Sequence, residues 1–207
     1  MNVLVTGGAG YIGGLTCKEL TKKGYKVFVF DNLSNSEASY VKWGELIEGD
    51  INDKELLFST LKKNKIEAVF HFAGVIEVGE SMRLPMKYLL NNVVGTYNLL
   101  EGISTMGVKH VVFSSSCATY GNVEKIPISE TNGQLPVSVY GETKLFGERM
   151  IRDLCSASDL CSEIMRYFNA AGADPDGETG ERHDPETHLI PLVIRSVYDK
   201  DYQLKVF

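Results

Sequence analysis

Tyr140 and Lys144 stand four positions apart near the start of a predicted helix, so both side chains fall on one helix face. An ammonium group close to a phenol favours the phenolate and lowers the pKa of the phenol toward neutrality. A phenol tuned in this way can take a proton from a substrate hydroxyl or return one to it. The same spacing is common on ordinary helix surfaces, so the neighbouring motifs decide what it means.

Three consecutive hydroxyl side chains, Ser114, Ser115 and Ser116, follow the apolar run 111–113. A serine at the carboxyl end of a strand can hydrogen-bond a reacting oxygen and orient its proton. Each serine can equally satisfy backbone groups where the strand ends. The sequence places no Asp or His as a triad partner, so these serines do not indicate a serine hydrolase.

A glycine-rich turn over 6–13, TGGAGYIG, joins an apolar run to a helical pattern. Such a turn aims free backbone N–H groups and the positive end of a helix dipole at one point, where a pyrophosphate can bind. Gly10 lets the phosphates approach, and Gly13 lets the helix pack closely on the strand. Asp31 follows the next apolar run at about the distance where dinucleotide-binding folds place an acid for the ribose. An isolated acid after a strand is more often a turn residue, but the upstream glycines favour the ribose-binding role.

The elements that position these residues follow from the apolar patterning. Strands are predicted at 3–5, 26–30, 46–50, 67–72, 111–113 and 163–168, with helices over 11–23, 53–64, 81–106, 138–157 and 188–198. This alternation predicts a doubly wound parallel sheet, a Rossmann fold, which binds ligands at the carboxyl ends of its strands. The segment 117–139 predicts a long surface loop with a functional role. The pattern changes after residue 168, with a turn-rich stretch at 173–180 and a final strand at 202–207.

Composition restricts the classes of partner. The net charge of −6 over 207 residues argues against broad affinity for nucleic acid or for an anionic membrane. The four cysteines form no Cys-x-x-Cys pair and the four histidines do not cluster with cysteines or acids at metal-ligand spacing, so no metal site is predicted. The sequence shows no apolar leader and no run long enough to span a bilayer, so we expect a cytoplasmic protein.

The glycine turn, the acid, the serines and the Tyr–Lys pair occur in the order typical of the short-chain dehydrogenase/reductase superfamily. Six stretches make the likeness more specific: GGAGYIG at 7–13, DNLSNS at 31–36, HFAG at 71–74, VGES at 78–81, FSSS at 113–116 and RYFNAAGA at 166–173. Together they resemble the UDP-glucose 4-epimerase family, an extended branch of that superfamily, over the whole chain. The resemblance implies an NAD-binding Rossmann domain over 1–168 and a partial UDP-sugar-binding domain over 169–207.

The resemblance implies a tightly bound NAD, because hydride leaves and returns within one turnover. The glycine turn would hold the pyrophosphate and Asp31 the adenosine ribose, where a carboxylate repels the extra phosphate of NADP. The implied cofactor-binding residues are Gly7, Gly10, Tyr11, Ile12, Gly13, Asp31, Asn32, Asn35, Ser36, Asp50, Ile51, Phe72, Ala73, Gly74, Asn92, Tyr140, Lys144 and Phe168.

The resemblance also implies a catalytic group of Ser116, Tyr140 and Lys144. In the family, Tyr140's counterpart takes the proton of the sugar C4 hydroxyl, a 4-keto sugar forms and turns over, and hydride returns to its other face. This interconverts UDP-glucose and UDP-galactose, a step of galactose metabolism. Lys144 would tune the phenol and hold the nicotinamide ribose, and Ser116 would bind the C4 oxygen. The implied substrate-binding residues are Ser116, Tyr140, Asn169, His188, Leu189, Lys205 and Phe207, with Phe168 beside both ligands.

Some of these positions have simpler interpretations, and two depart from the family. Phe168 and Leu189 are equally typical of a core, and His188 of a helix N-terminus. Ile76 stands where relatives commonly carry a Lys that reaches the cofactor. Gly14 replaces the usual Ser, at a cost of roughly 1 kcal/mol against Ala in a helix.

The resemblance leaves two alternatives to an active epimerase. Relatives continue beyond Phe207 with arginines that pair with the diphosphate, so we expect a chain cut short in its substrate domain, homodimeric if full length. One alternative is therefore a catalytically silent NAD-binding fragment. The other is a different extended short-chain sugar-nucleotide enzyme. A dehydratase would carry an Asp-Glu pair after the strand-five hydroxyl, where this sequence has Cys117-Ala118, which argues against that activity.

Overall fold

The structure is a computed structural model that describes residues 1–182, 186 and 188–204. Six strands form one sheet: β1 (Asn2–Thr6), β2 (Lys26–Asp31), β3 (Glu45–Glu48), β4 (Ala68–His71), β5 (His110–Ser116) and β6 (Cys161–Tyr167). All pairings are parallel and the order is β3-β2-β1-β4-β5-β6. This is the strand order of the Rossmann fold, with its ligand crevice where the order reverses between β1 and β4. The predicted fold class is confirmed, and the domain boundary after residue 168 stays a prediction.

Helices alternate with the strands along the chain. They are α1 (Tyr11–Lys22), α2 (Lys54–Lys63), α3 (Val78–Arg83), α4 (Pro85–Tyr88), α5 (Gly95–Met106), α6 (Val139–Ser156) and α7 (Leu189–Tyr198). A π-helical stretch, Leu89–Val94, precedes α5, and 3-10 turns lie at Ala38–Tyr40 and Cys117–Thr119. Within the described residues, no helix has the length and apolar character needed to cross a membrane.

The core has two layers because successive strand residues point to opposite faces of the sheet. Leu4 belongs to the layer that also contains buried side chains of α2, α5 and α6. Val3 and Val5 belong to the opposite layer, with Cys17 and Leu20 of α1. Helices therefore cover both faces, which explains why the central strands read as continuous apolar runs.

Two predicted elements differ from the structure. The helix predicted over 81–106 is interrupted, because Pro85 cannot continue the helix that ends at Arg83 and because the chain then widens into the π-helical stretch. The strand predicted over 202–207 is not present at 202–204, and its remaining residues lie outside the described part of the chain.

Candidate functional site

The glycine turn folds as predicted between β1 and α1. Gly7 has a φ of +71°, and a Cβ on it would lie 2.5 Å from the backbone nitrogen of Ala73. A Cβ on Gly13 would lie 2.2 Å from the carbonyl oxygen of Gly7, so the fold itself excludes side chains at both positions. Gly10 differs, because the nearest atom to its Cβ position is 3.4 Å away. Glycine there keeps open the space before the first turn of α1, whose N–H groups have no partner within the helix.

Asp31 lies beside this turn at the end of β2. Its Oδ2 accepts a hydrogen bond from the backbone nitrogen of Ala9 at 3.0 Å. Its Oδ1 accepts from the Leu33 nitrogen at 2.9 Å and from the Ser36 hydroxyl at 3.4 Å, and Asn35 is exposed in the same turn. The carboxylate therefore joins the two turns that border the site. Its oxygens have further lone pairs for a ligand hydroxyl.

Asp50 and Ile51, two of the predicted cofactor-binding residues, follow β3. Asp50 accepts from the Asn32 amide at 2.8 Å and from the backbone and side chain of Asn52 at 2.8 and 3.0 Å. Burial would raise the pKa of Asp50, but hydrogen bonds from Asn52 and then Asn32 hold it below its usual value. Ile51 is buried, and its side chain fills the space that a Cβ on Gly95 would need.

The segment 72–74 leaves β4 directly beside the glycine turn. Its first two backbone nitrogens both donate to the Thr6 carbonyl, at 2.9 and 3.0 Å. Asn92, in the π-helical stretch, exchanges hydrogen bonds of 2.9 and 3.0 Å with the backbone of Val75 and donates to the Thr143 hydroxyl at 3.1 Å. Asn92 therefore supports this segment, and its predicted contact with the cofactor stays a prediction.

The structure brings the three predicted catalytic side chains together. Ser116 ends β5 and accepts from the Ala118 nitrogen at 3.1 Å, while Tyr140 and Lys144 lie in the first turns of α6. Their exposed fractions are 9%, 8% and 4%, so all three groups are nearly buried at the carboxyl edge of the sheet. The side chain of Ser116 also interacts with the Tyr140 hydroxyl. Nearly buried hydroxyl and ammonium groups at this edge fit proton transfer to or from a ligand.

One expectation about this group is wrong for the chain alone. Burial raises the pKa of Tyr140, Ser116 opposes that shift in part, and Cys117 adds to it. The net shift is therefore upward, although the Lys144 ammonium, which donates to the Ser114 carbonyl at 2.9 Å, lies 5.8 Å from the centre of the Tyr140 ring. Burial also lowers the pKa of Lys144 to about 8.

His71 is a supporting residue that the sequence did not reveal, although it begins the HFAG motif. The Thr96 hydroxyl donates to the Asn92 carbonyl at 2.6 Å, so it accepts from the Nε2 of His71 at 2.9 Å. The Nδ1 of His71 then accepts from the Thr6 hydroxyl at 2.7 Å. Burial, and secondarily the charge of Lys144, lower the pKa of His71 to about 3. A neutral imidazole therefore joins β1, β4 and α5 beneath the site.

The segment after β6 is bound across α1 by Tyr11, which was predicted as a cofactor-binding residue, and by Lys18, which no sequence motif indicated. Tyr11 donates from its hydroxyl to the Gly172 carbonyl at 2.5 Å. The buried Lys18 ammonium lies 2.7 Å from Asp174, 2.7 Å from Asp176 and 2.8 Å from Glu178. Three carboxylates this close could hold a metal ion, but the ammonium already supplies the positive charge between them.

Several of the predicted ligand-binding residues after β6 are exposed in the described part of the chain. Phe168 and Leu189 are 59% and 62% exposed, so neither is a core residue here, and Asn169 is also exposed. The Nδ1 of His188 lies 2.8 Å from Glu186 and 3.0 Å from Glu181. Lys205 and Phe207 fall outside the described residues.

Comparison with known proteins decides the family. The profile of the NAD dependent epimerase/dehydratase family matches residues 3–207. The chain belongs to this family. Within it, the chain is similar to a curated UDP-glucose 4-epimerase of Rhizobium leguminosarum bv. trifolii, with 48% identity over 205 residues, 99% of this chain and 63% of that protein.

Solved structures of epimerases have the same fold as this family member. A UDP-glucose 4-epimerase from Brucella ovis in complex with NAD superposes with a TM-score of 0.96 at 48% identity, covering 100% of this chain and 63% of that one. One from Stenotrophomonas maltophila, with bound NAD and formylated UDP-arabinopyranose, gives 0.95 at 37% identity, covering 100% and 65%. The chain thus spans less than two thirds of the length of these relatives.

Proposed function

We propose that this chain binds NAD and carries the catalytic residues of a UDP-glucose 4-epimerase, which interconverts UDP-glucose and UDP-galactose. The observation that carries the proposal is the nearly buried group of Ser116, Tyr140 and Lys144 at the carboxyl edge of the sheet, next to the glycine turn. The relatives named above support it, since two of them are NAD complexes of such enzymes.

The residues present fit NAD. Gly10 leaves open the approach to the first turn of α1, where N–H groups suit a pyrophosphate. Asp31 offers acceptors for ribose hydroxyls and repels a ribose phosphate. Among the described residues, the Lys144 ammonium has one hydrogen-bond acceptor, the Ser114 carbonyl, although it is 4% exposed. A buried cation with spare donors fits the hydroxyls of a second ribose. When bound, NAD accepts the C4 hydride of the sugar and gives it back.

The chemistry of the chain's own residues is a proton transfer at one oxygen. Tyr140, as phenolate, takes the proton of the C4 hydroxyl while the C4 hydrogen leaves as hydride, and a C4 carbonyl forms. Ser116 holds the same oxygen by a hydrogen bond as it changes from hydroxyl to carbonyl. After the 4-keto sugar has turned over, Tyr140 returns the proton as hydride reaches the other face. The two half-steps are balanced, so no other reductant is needed.

The charge of Lys144 has to act on Tyr140 for this step to run near neutral pH. In the chain alone the ammonium bonds to Ser114, and burial raises the pKa of Tyr140. An ammonium within a few ångströms of a phenol favours the phenolate and lowers the phenol's pKa. We therefore propose that the charge of Lys144 completes the general base.

Replacing Tyr140 tests the proposal. The Tyr140→Phe variant removes only the hydroxyl, so it should retain NAD and lose at least about a hundredfold in UDP-galactose conversion, in line with general acid–base catalysis. Tyr198→Phe on α7 is the matched control, because that ring is 85% exposed. NAD released on denaturation and UDP-glucose formation are measured for the parent and both variants. Unchanged conversion in Tyr140→Phe would refute the assigned base.

The same assays of the parent chain distinguish the two alternatives to an active epimerase. Retention of NAD without conversion of UDP-galactose would indicate a silent NAD-binding part, since the relatives are longer than this chain. Conversion of another sugar nucleotide, with UDP-galactose unchanged, would indicate a different sugar-nucleotide enzyme. The homodimer stays a prediction; exposed apolar side chains along α3 to α5 are compatible with it, namely Met82, Leu84, Met86, Leu90 and Tyr97.

A further inference from the structure

A buried ion pair lies beneath the candidate catalytic residues. The carboxylate of Glu148, on α6, is completely buried, and the side chain of Arg166, on β6, is 13% exposed. Arg166 binds it with two parallel hydrogen bonds, Nε to Oε1 at 2.9 Å and Nη2 to Oε2 at 2.8 Å. Burial would raise the pKa of Glu148, but the hydrogen bond from Arg166, followed by those from Ser115 and Gln134, holds it below its usual value. This is the bidentate geometry that makes Arg–carboxylate pairs specific in orientation.

The carboxylate of Glu148 also ties two further elements to α6. Its Oε1 accepts from the Ser115 hydroxyl at 2.5 Å, which joins α6 to β5. Its Oε2 accepts from the Gln134 amide at 3.0 Å, which joins α6 to the segment 117–138.

The guanidinium of Arg166 holds the same segment from the other side. Its Nη1 donates to the Tyr120 hydroxyl at 2.8 Å and to the Glu130 carbonyl at 3.2 Å. Next to these anchors the segment closes on itself, because Gly121 forms an isolated β-bridge with Leu135. The ion pair therefore fixes β5, β6, α6 and the segment 117–138 through one set of charge-assisted bonds.

The residues that make these contacts lie close in sequence to the candidate catalytic residues. Ser115 directly precedes Ser116 on β5. Glu148 follows Lys144 by one helical turn and Tyr140 by two on α6, so the three side chains share a face. The segment that Arg166 holds is the one that connects Ser116 to Tyr140 in the chain.

We propose that the Glu148–Arg166 ion pair is a positioning device that sets the placement of the Ser116 hydroxyl against that of Tyr140. Neither side chain is a catalytic residue in this proposal, and the role rests on the proposed epimerase function. A displacement of about 1 Å in such a pair of hydroxyls is enough to reduce turnover up to about a hundredfold.

The decisive variant removes both charges together. A single substitution leaves an unpaired buried charge and is strongly destabilising, whereas replacement of both partners by apolar side chains is often neutral for stability. Glu148→Met with Arg166→Met should therefore keep its NAD content and lose less stability than either single variant, its remaining loss coming from the buried Ser115 hydroxyl that loses its acceptor. Its kcat for UDP-galactose should fall about tenfold to a hundredfold with KM within about threefold, the pattern of lost positioning. A kcat that stays at the parent value in the folded double variant would overturn the proposal.

Arg152 provides the matched control. It donates to the same Oε2 at 3.0 Å, but it is 51% exposed and lies on α6 itself, so it joins no second element. Arg152→Gln should leave kcat within about twofold, because an exposed pair within one helix contributes little.

Amide hydrogen exchange over residues 118–137 gives a result that does not depend on turnover. In the double variant, exchange of these amides should rise about tenfold or more, since their anchors are lost, and in Arg152→Gln it should not. If the parent chain shows no conversion, the proposed function fails while this measurement still decides the role of the ion pair. Unchanged exchange in the double variant would contradict it.

Discussion

The ammonium of Lys144 lies 2.9 Å from the carbonyl oxygen of Ser114 and 5.8 Å from the centre of the Tyr140 ring. This bond joins α6 to β5 inside the candidate site. It also shows how the chain alone stabilises a buried cation, with a backbone dipole in place of a carboxylate. The arrangement has a consequence for stability that can be measured.

Lys144 should make the free energy of unfolding depend on pH in the alkaline range. Burial lowers its pKa from 10.5 to about 8 in the folded chain. Between those values the unfolded chain holds a proton that the folded chain has released, so the free energy of unfolding rises with pH. At 1.36 kcal/mol per pKa unit, the cost of the buried charge below pH 8 is about 3 kcal/mol.

Lys144→Met should therefore be up to about 3 kcal/mol more stable than the parent at about pH 7, and the difference should disappear near pH 10.5. Urea unfolding of the chain without NAD at both pH values measures it. Lys62→Met, at an exposed position on α2, is the control. A Lys144→Met chain whose advantage does not change with pH would show that the buried ammonium is not the cause.

Alanine substitutions at Gly13 and Gly10 should affect different properties, stability in the first case and NAD affinity in the second. Gly13→Ala places a Cβ 2.2 Å from the Gly7 carbonyl, so we expect a loss of about 3 kcal/mol in the free energy of unfolding. Gly10→Ala meets nothing closer than 3.4 Å, so it should fold normally but lose at least about tenfold in NAD affinity, because its methyl enters the ligand's space. Thermal unfolding and NAD titration measure both variants. Equal loss of stability in the two variants would contradict this assignment.

Lys18 should hold the segment after β6 against α1. Its hydrogen bond is the main cause that lowers the pKa of Asp174 from 3.8 to about 2, with burial acting in the opposite direction. A lowered carboxyl pKa contributes stability above the unfolded pKa, and this contribution is lost as pH falls through the folded value. Lys18→Met should therefore unfold at a lower temperature than the parent at neutral pH. The difference between their unfolding temperatures should decrease as the pH falls from about 4 to about 2.

Protease cleavage within 173–182 provides a local measurement for the same variant, and cleavage should be faster in Lys18→Met. Lys22→Met is the control, because that ammonium is half-exposed and lies 3.3 Å from Asp176. Cleavage at the same rate in Lys18→Met and Lys22→Met would show that the buried ammonium does not hold the segment.

The strands and the glycine turn could be predicted because each depends on local information. An apolar run specifies a buried strand, Gly7 is required by its positive φ of +71°, and Gly13 is required by a contact within the turn. The placement of Ser116, Tyr140 and Lys144 at one edge followed from the rule that parallel strands end together.

The direction of the Lys144 ammonium could not be predicted in this way. Helical spacing shows that two side chains share a face. The Ser114 carbonyl that Lys144 binds instead belongs to β5, thirty positions away in the chain. The same holds for Lys18 and Asp174, whose separation of 156 positions leaves no trace in any local pattern. The π-helical stretch that presents Asn92 was also hidden, since its residues read as part of a long helix with a proline near its start.

Gly7 couples the two sides of the proposed cofactor site through its contact with the backbone at Ala73. With no room for a side chain between them, the turn proposed to hold the pyrophosphate and the segment 72–74 pack into a single cradle. A cradle already shaped before the ligand arrives loses little conformational entropy on binding. Such a site suits a cofactor that stays bound from one turnover to the next, because little of the binding free energy is needed to order the protein.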